Sequence, residues 1–234
     1  MQHQRVENLM TEPVVTVQTD TPFKEIVRVL REHAVSATPV LDQDKAVVGV
    51  VSEADLLRKE ADSEGPARLP VAVHSRRAVR EARGKAEGET AGELMTAPAV
   101  VVGPGATVGE AARLMERHGV KRLPVVDASG RLRGIVSRCD LLRVYLRPDE
   151  AIRAEIRDDL LRRDLWVDPD SLDVRVLDGV VTLAGEMENK TLTSLLVRMV
   201  RGVDGVVQVH DRLAFAVDDT KLRPGDAPRP GRRL

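Results

Sequence analysis

The sequence predicts an α+β fold of mixed α/β character: two β-α-β-β-α repeats packed with pseudo-two-fold symmetry, and a smaller αββαβ unit behind them. Two observations carry this. The first is an internal repeat, in which Leu9-Met10-Thr11 returns as Leu94-Met95-Thr96, Pro13 as Pro98, His33 as His118 and Pro39-Val40 as Pro124-Val125. Asp42 likewise returns as Asp127, and Asp55-Leu56-Leu57-Arg58 as Asp140-Leu141-Leu142-Arg143. All pairs share one offset, so the copies align without a gap, and about 20 of about 50 positions are identical. The second is a change of pattern after Arg147-Pro148, where a fresh order of helix-period and strand-period runs begins.

In the first copy, Val14 to Val17 reads as a short strand, and Thr21-Pro22 opens a helix with proline at its first position, where the missing donor costs nothing. Phe23, Ile26, Val27 and Leu30 form one apolar stripe at i, i+3, i+4, i+7. The second copy places Val108, Ala111, Ala112 and Met115 on the same helix, with Thr107 and Glu110 at capping-box spacing. Two strand-like runs follow in copy one, Thr38 to Leu41 and Val47 to Val51, joined by the polar turn Asp42 to Lys45. Each copy has too little chain to cover both faces of its sheet, so copy packs on copy and the seam forms clefts.

The bulk numbers set the class. At 234 residues the chain is long enough for two or three small domains, and a formal net charge of −1 removes bulk attraction to nucleic acid. One cysteine, Cys139, excludes an intramolecular disulfide and suits a reducing compartment. Residues 1 to 7 lack an apolar core of the kind a signal peptide needs, and no apolar run approaches a membrane span, so a cytoplasmic location is expected.

Chemistry concentrates in Gly49-Val50-Val51-Ser52-Glu53-Ala54-Asp55 and its twin Gly134-Ile135-Val136-Ser137-Arg138-Cys139-Asp140. Each reads as a glycine turn, a buried strand, then a hydroxyl and a carboxylate three residues apart at a helix mouth. Such a mouth offers free backbone N–H groups and a positive dipole end to a phosphate. The serine can donate to a phosphate oxygen and the aspartate can accept from two ribose hydroxyls. The same residue types also serve as plain helix caps.

The Leu-Met-Thr start, the Thr38-Pro39-Val40 and Leu123-Pro124-Val125 steps and the Gly-h-h-Ser-x-x-Asp close (h, apolar) make each copy resemble a CBS domain, and the tandem resembles a Bateman module. The resemblance implies domains at 1–58 and 92–147 joined by a charged linker at 59–91. It further implies a non-catalytic sensor without a cofactor, binding AMP, ADP, ATP or an S-adenosyl compound between the copies, and homodimerising into a flat disc. Thr38, Pro39, Ser52 and Asp55, with Leu123, Pro124, Ser137 and Asp140, are the implied ligand-binding positions. The prolines remove a donor and hold the preceding residue extended, leaving main-chain groups free to read an adenine edge, or they are edge-strand punctuation.

The two sites differ in charge. Lys121, Arg122 and Arg138 surround the second, where the first has Ser36, Ala37 and Glu53, so the second is expected to take phosphorylated ligands. Glu53 beside a phosphate would repel it. In the linker, Gly65-Pro66 and Pro70 interrupt a segment carrying Arg76, Arg77, Arg80, Arg83 and Lys85, which reads as solvated chain or as an arm reaching a cleft.

Beyond Pro148, Asp149 is placed to cap a helix with Ile152, Ile156 and Leu160 on one face. Leu172, Val174 and Val176 alternate as a strand, Asp178-Gly179 signals a hairpin, and Val181 and Leu183 return. A helix carrying Leu192, Leu195, Leu196 and Met199 then ends at Gly202, and a last strand runs through Val209, Leu213 and Val217. Val174-x-Val176-x-Asp178-Gly179-x-Val181-x-Leu183-x-Gly185 and Gly202-Val203-Asp204-Gly205-Val206-x-x-Val209 make residues 148–217 resemble a BON domain. That resemblance implies contact with a phospholipid surface. Ten Lys/Arg against fourteen Asp/Glu from Arg147 to Val217 oppose an anionic leaflet, which makes docking to a protein the competing expectation. Residues 218–234, rich in proline, glycine and arginine, are expected to be disordered.

His33 and His118 read as solvated helix residues rather than metal ligands, and Cys139 as a small buried thiol. Three functions stay open: an adenine-nucleotide sensor acting on the BON unit, a dimeric scaffold without ligand, and a nucleic-acid binder. The last is disfavoured by charge and by the lack of aromatics interleaved with basic residues.

Overall fold

A computed structural model of the chain describes residues 3–63 and 89–221. The basic part of the linker and the Pro/Gly/Arg tail lie outside the described residues. The described residues divide into two compact units, one from Gln4 to Leu141 and one from Leu142 to Lys221 to which His3 also belongs.

In the first unit, copy one runs β1 (Val17–Gln18), α1 (Phe23–Glu32), β2 (Ala37–Leu41), β3 (Val47–Ser52) and α2 (Glu53–Ser63). Copy two runs α3 (Ala91–Leu94), α4 (Val108–His118), β4 (Arg122–Val126), β5 (Leu132–Ser137) and α5 (Arg138–Leu142). β1 pairs parallel with β2, and β2 antiparallel with β3. In copy two β4 and β5 are antiparallel, and the counterpart of β1 shrinks to a parallel bridge between Val102 and Val125. Thr107 and Glu110 form the expected capping box, and Thr107's backbone N–H and hydroxyl hold the Glu110 carboxyl below its ordinary range. Pro22 sits one position earlier than expected, at the N-cap of α1 with extended backbone (φ −68°, ψ 152°).

Each copy completes the other's core. Val6, with Met10 beside it, packs with Ala111, Met115, Leu123, Val125, Val136 and Leu141 of copy two. Ala91 and Leu94, with Met95 beside them, pack with Val17, Ile26, Leu30, Val40, Val51 and Leu56 of copy one. Thr11 and Ile135 exchange backbone hydrogen bonds (2.9 and 3.2 Å), as do Thr96 and Val50 (2.8 and 3.1 Å).

This exchange changes the meaning of the two glycines. Gly49 and Gly134 stand inside β3 and β5, paired with Val40 and Val125, and not in turns. A Cβ on Gly49 would lie 2.3 Å from Met95 Sδ, and one on Gly134 2.5 Å from Met10 Sδ. They are glycine because a methionine from the other copy lies on their Cα, the close-approach reason for an in-strand glycine.

The second unit is a three-stranded sheet, β6 (Leu172–Leu177), β7 (Val180–Asn189) and β8 (Gln208–Val217), in that order. β6 and β7 are antiparallel, β7 and β8 parallel, the latter pair connected through α7 (Lys190–Arg201). α6 (Asp149–Ala154) continues as a π-helical segment, Glu155–Asp164. Ile152, Ile156, Leu160 and Leu161 of this rod and Leu196, Val197 and Val200 of α7 share one core with Val174, Val181 and Leu183. The Asp178–Gly179 hairpin forms with both residues at positive φ (49° and 72°), as its sequence requires. Asp149 does not cap its own helix: its carboxylate accepts from Asp178 N (2.7 Å) and Gly179 N (2.9 Å), pinning that turn. Among the described residues no helix is long and apolar enough to cross a membrane.

Gly49→Ala is expected to destabilise the first unit by about 1–3 kcal/mol through overpacking against Met95. In urea unfolding, adding Met95→Ala should recover part of that loss, so that the double variant is less damaged than the sum of the singles. Strict additivity would show that Gly49 is not held open by Met95.

Candidate functional site

Ser52 ends β3 and Asp55 is the third residue of α2; Ser137 and Asp140 repeat this at β5 and α5. Asp55 Oδ2 accepts from Ser52 N (3.0 Å) and Ser52 Oγ (2.6 Å). Asp140 Oδ2 accepts from Ser137 N (2.8 Å) and Oγ (2.6 Å), and Asp140 N donates back to Ser137 Oγ (3.3 Å). The pairs thus close on themselves as helix caps, because a strand that runs straight into a helix leaves first-turn donors to satisfy. Asp55 is only 5% exposed, and its Oδ1 accepts a long hydrogen bond from Thr96 Oγ1 (3.4 Å) and lies 3.9 Å from Arg58 Nη1. Asp140 is half-buried.

A cavity of about 390 Å³ opens on the first pair. Copy one supplies Ser36, Ala37, Val50, Ser52, Glu53, Ala54, Asp55 and Arg58 to its wall, and copy two supplies Thr96, Pro98, Ala99, Val100, Gly119, Val120, Lys121 and Arg122. The exchanged Thr96–Val50 ladder brings these halves together. Thr96, Pro98, Ala99 and Val100 escaped the sequence reading as site residues, although Leu94-Met95-Thr96 and Pro98 stood out as repeated. The repeat shows that such a segment matters; it carries no information on which copy's site it lines.

The expected division of charge changes for the same reason. Lys121 and Arg122 line the cavity of Ser52 and Asp55, together with Glu53, so groups assigned to opposite sites share one wall. Arg122 Nη2 donates to Ser36 Oγ at 2.7 Å. Burial lowers the Arg122 pKa, while the negative charges of Glu53 and then Asp140 oppose that shift. Glu53 therefore faces a cation in this wall, not an isolated phosphate position. Arg138 is exposed and is not a lining residue of the cavity; its Nη2 donates to the carbonyl of Val120, which is one (3.0 Å).

The proline steps lie inside the sheets. Thr38 and Pro39, and Leu123 and Pro124, are buried and do not line the cavity. Pro39 is in the central strand of its sheet, not at an edge. The β1–β2 register points Val15 O at Pro39, which has no N–H to give, and the Thr38 hydroxyl donates to that carbonyl instead (2.6 Å). Cys139 is exposed rather than buried, and His33 and His118 are exposed ends of α1 and α4.

A family model described as CBS domain matches residues 6–62 and 91–147, and one described as BON domain matches residues 148–216. The chain is similar to the uncharacterized protein MJ1426 of Methanocaldococcus jannaschii, 30% identical over 154 residues covering 60% of this chain and 90% of that protein. It is similar also to the chloroplastic CBS domain-containing protein CBSX2 of Arabidopsis thaliana, 33% identical over 138 residues covering 56% of this chain. This chain spans 58% of that relative's length. Among solved structures, CBSX2 in complex with AMP superposes with a TM-score of 0.53 at 32% identity, covering 61% of this chain and 96% of that one.

Without ligand, Asp55→Ala is expected to cost about 1–3 kcal/mol and Asp140→Ala about 0.5–2 kcal/mol, because Asp55 is more buried and also bonds Thr96. Thermal melts of the two variants check the order. A larger loss at Asp140 would show that burial does not set the strength of these caps.

Proposed function

Since the chain belongs to the CBS domain family and carries a BON domain behind its two CBS copies, we propose that it is a non-catalytic regulatory protein whose CBS pair binds an adenine nucleotide. Occupancy of the pair is transmitted to the BON domain, which docks on a membrane or protein partner. The observation that carries the nucleotide reading is a cavity that holds Ser52 and Asp55 from one copy and Lys121 and Arg122 from the other. Its volume of about 390 Å³ falls within the roughly 300–1,000 Å³ of small-molecule sites. The similar CBSX2 structure contains AMP, which supports an adenosine ligand here.

The residues divide the work by chemistry. Asp55 accepts from the ribose hydroxyls, a role that spends the same carboxylate oxygens now held by Ser52 and Thr96. Ser52, released from Asp55, donates to the phosphate alongside Lys121 and Arg122. Backbone groups of Ala99 and Val100 and the apolar surface of Val50 hold the base. The cations favour a phosphorylated ligand over a sulfonium compound. The CBS copies assemble as a homodimer, and the BON domain, whose ten Lys/Arg meet fourteen Asp/Glu, contacts its target through apolar or local polar groups rather than through an anionic leaflet.

One observation favours a second reading, a scaffold without ligand: both Ser/Asp pairs are satisfied by each other as caps. A thermal-shift screen with AMP, ADP, ATP and S-adenosylmethionine separates the two. Stabilisation by a phosphorylated nucleotide should reach about 2.7 kcal/mol at a hundredfold excess over its dissociation constant. No shift with any of the four leaves the scaffold. For the BON domain, the full chain with and without AMP should co-sediment differently with phosphatidylcholine vesicles if it meets lipid; absence from the pellet in both states removes the lipid target.

A further inference from the structure

Arg122 belongs to both halves of the CBS pair. Its Cα faces Ser137 across the β4–β5 ladder, beside the Ser137–Asp140 pair, whereas its guanidinium crosses to Ser36 Oγ and lines the cavity on Ser52 and Asp55. The repeat supplies no equal on the other side: the matching position in copy one is Ala37, which is buried and uncharged, and Lys121 is matched by Ser36. The charges that act on Arg122 come from both directions, Glu53 in the first copy and Asp140 in the second.

We propose that Arg122 is one cation serving two phosphate positions, so that an anion bound at one Ser/Asp pair withdraws it from the other and the pairs fill with negative cooperativity. The inference rests on the nucleotide reading above. A guanidinium forks onto one phosphate at a time in a fixed plane, and a half-buried one cannot be replaced at short range by solvent cations. The first phosphorylated ligand therefore takes the guanidinium, and the second meets a site from which it has been withdrawn. A ligand lacking phosphate has nothing to compete for.

The test is calorimetric titration of the full chain with AMP and with adenosine, in the wild type, Arg122→Gln, Arg122→Lys and Ser36→Arg, each checked by circular dichroism. The wild type should bind AMP in one tight step and one at least about tenfold weaker, a ratio ordinary for coupled sites. Arg122→Gln should weaken the tight step about tenfold and bring the two together, while Arg122→Lys keeps the split. Ser36→Arg, which adds a cation on the exposed rim, should strengthen the weak step. Adenosine, which has no phosphate to compete for Arg122, should bind the wild type without the tenfold split. Equal AMP steps in the wild type, or an equal loss at both steps in Arg122→Gln, would overturn the sharing while leaving nucleotide binding in place. Failure of both AMP and adenosine to bind at all would overturn the nucleotide reading itself, and the sharing with it.

Discussion

The exchange of Met10 and Met95 onto Gly134 and Gly49 is the contact on which the CBS pair depends. A repeat of about 50 residues buries only a modest fraction of its surface and is marginal alone. Here neither copy closes its core without a segment from the other: Val6 is fully buried among residues of copy two, and Ala91 and Leu94 among residues of copy one. The missing Cβ at the two glycines lets each methionine lie on the strand, and the Thr11–Ile135 and Thr96–Val50 hydrogen bonds then set its register. Stability and site formation are for this reason one event. The segment that ends in the exchanged ladder also delivers Thr96, Pro98, Ala99 and Val100 to the cavity wall.

The same economy governs the Ser/Asp pairs. A helix that begins directly after a strand needs a cap, and the residues suited to capping are those suited to gripping a ribose. In the structure the cap is made, with Ser52 Oγ and Ser137 Oγ each 2.6 Å from a carboxylate. A ligand has to repay those hydrogen bonds with its own. On the proposed reading, affinity is then the difference between two satisfied states of the same pair.

Much of the fold was legible because local rules and global packing agree. The α1 stripe, the Thr107–Glu110 box, the Asp178–Gly179 turn and the rod through Ile152, Ile156 and Leu160 rest on periodicity and turn chemistry, which act within a few residues. The failures are equally local in form. Asp149 has the right type and place for a cap, yet its carboxylate serves the hairpin turn about 30 residues away. Pro39 looked like a device for exposing main-chain groups; it lies inside the sheet, and the Thr38 hydroxyl covers the donor it lacks.

The sequence by itself determined that two equivalent halves pack as a pair, that a third unit of different pattern follows, and which residue types cluster at each strand-to-helix junction. Repeats and periodicities are properties of the chain order, so they survive without coordinates. Only the tertiary structure decided which copy's charges face which copy's carboxylate. Lys121 and Arg122 belong in sequence with Asp140 but line a wall with Asp55, because the exchanged segments place the second copy's loop over the first copy's helix mouth. A linear alignment is symmetric under swapping the copies. The seam between them is where that symmetry acquires a direction in space.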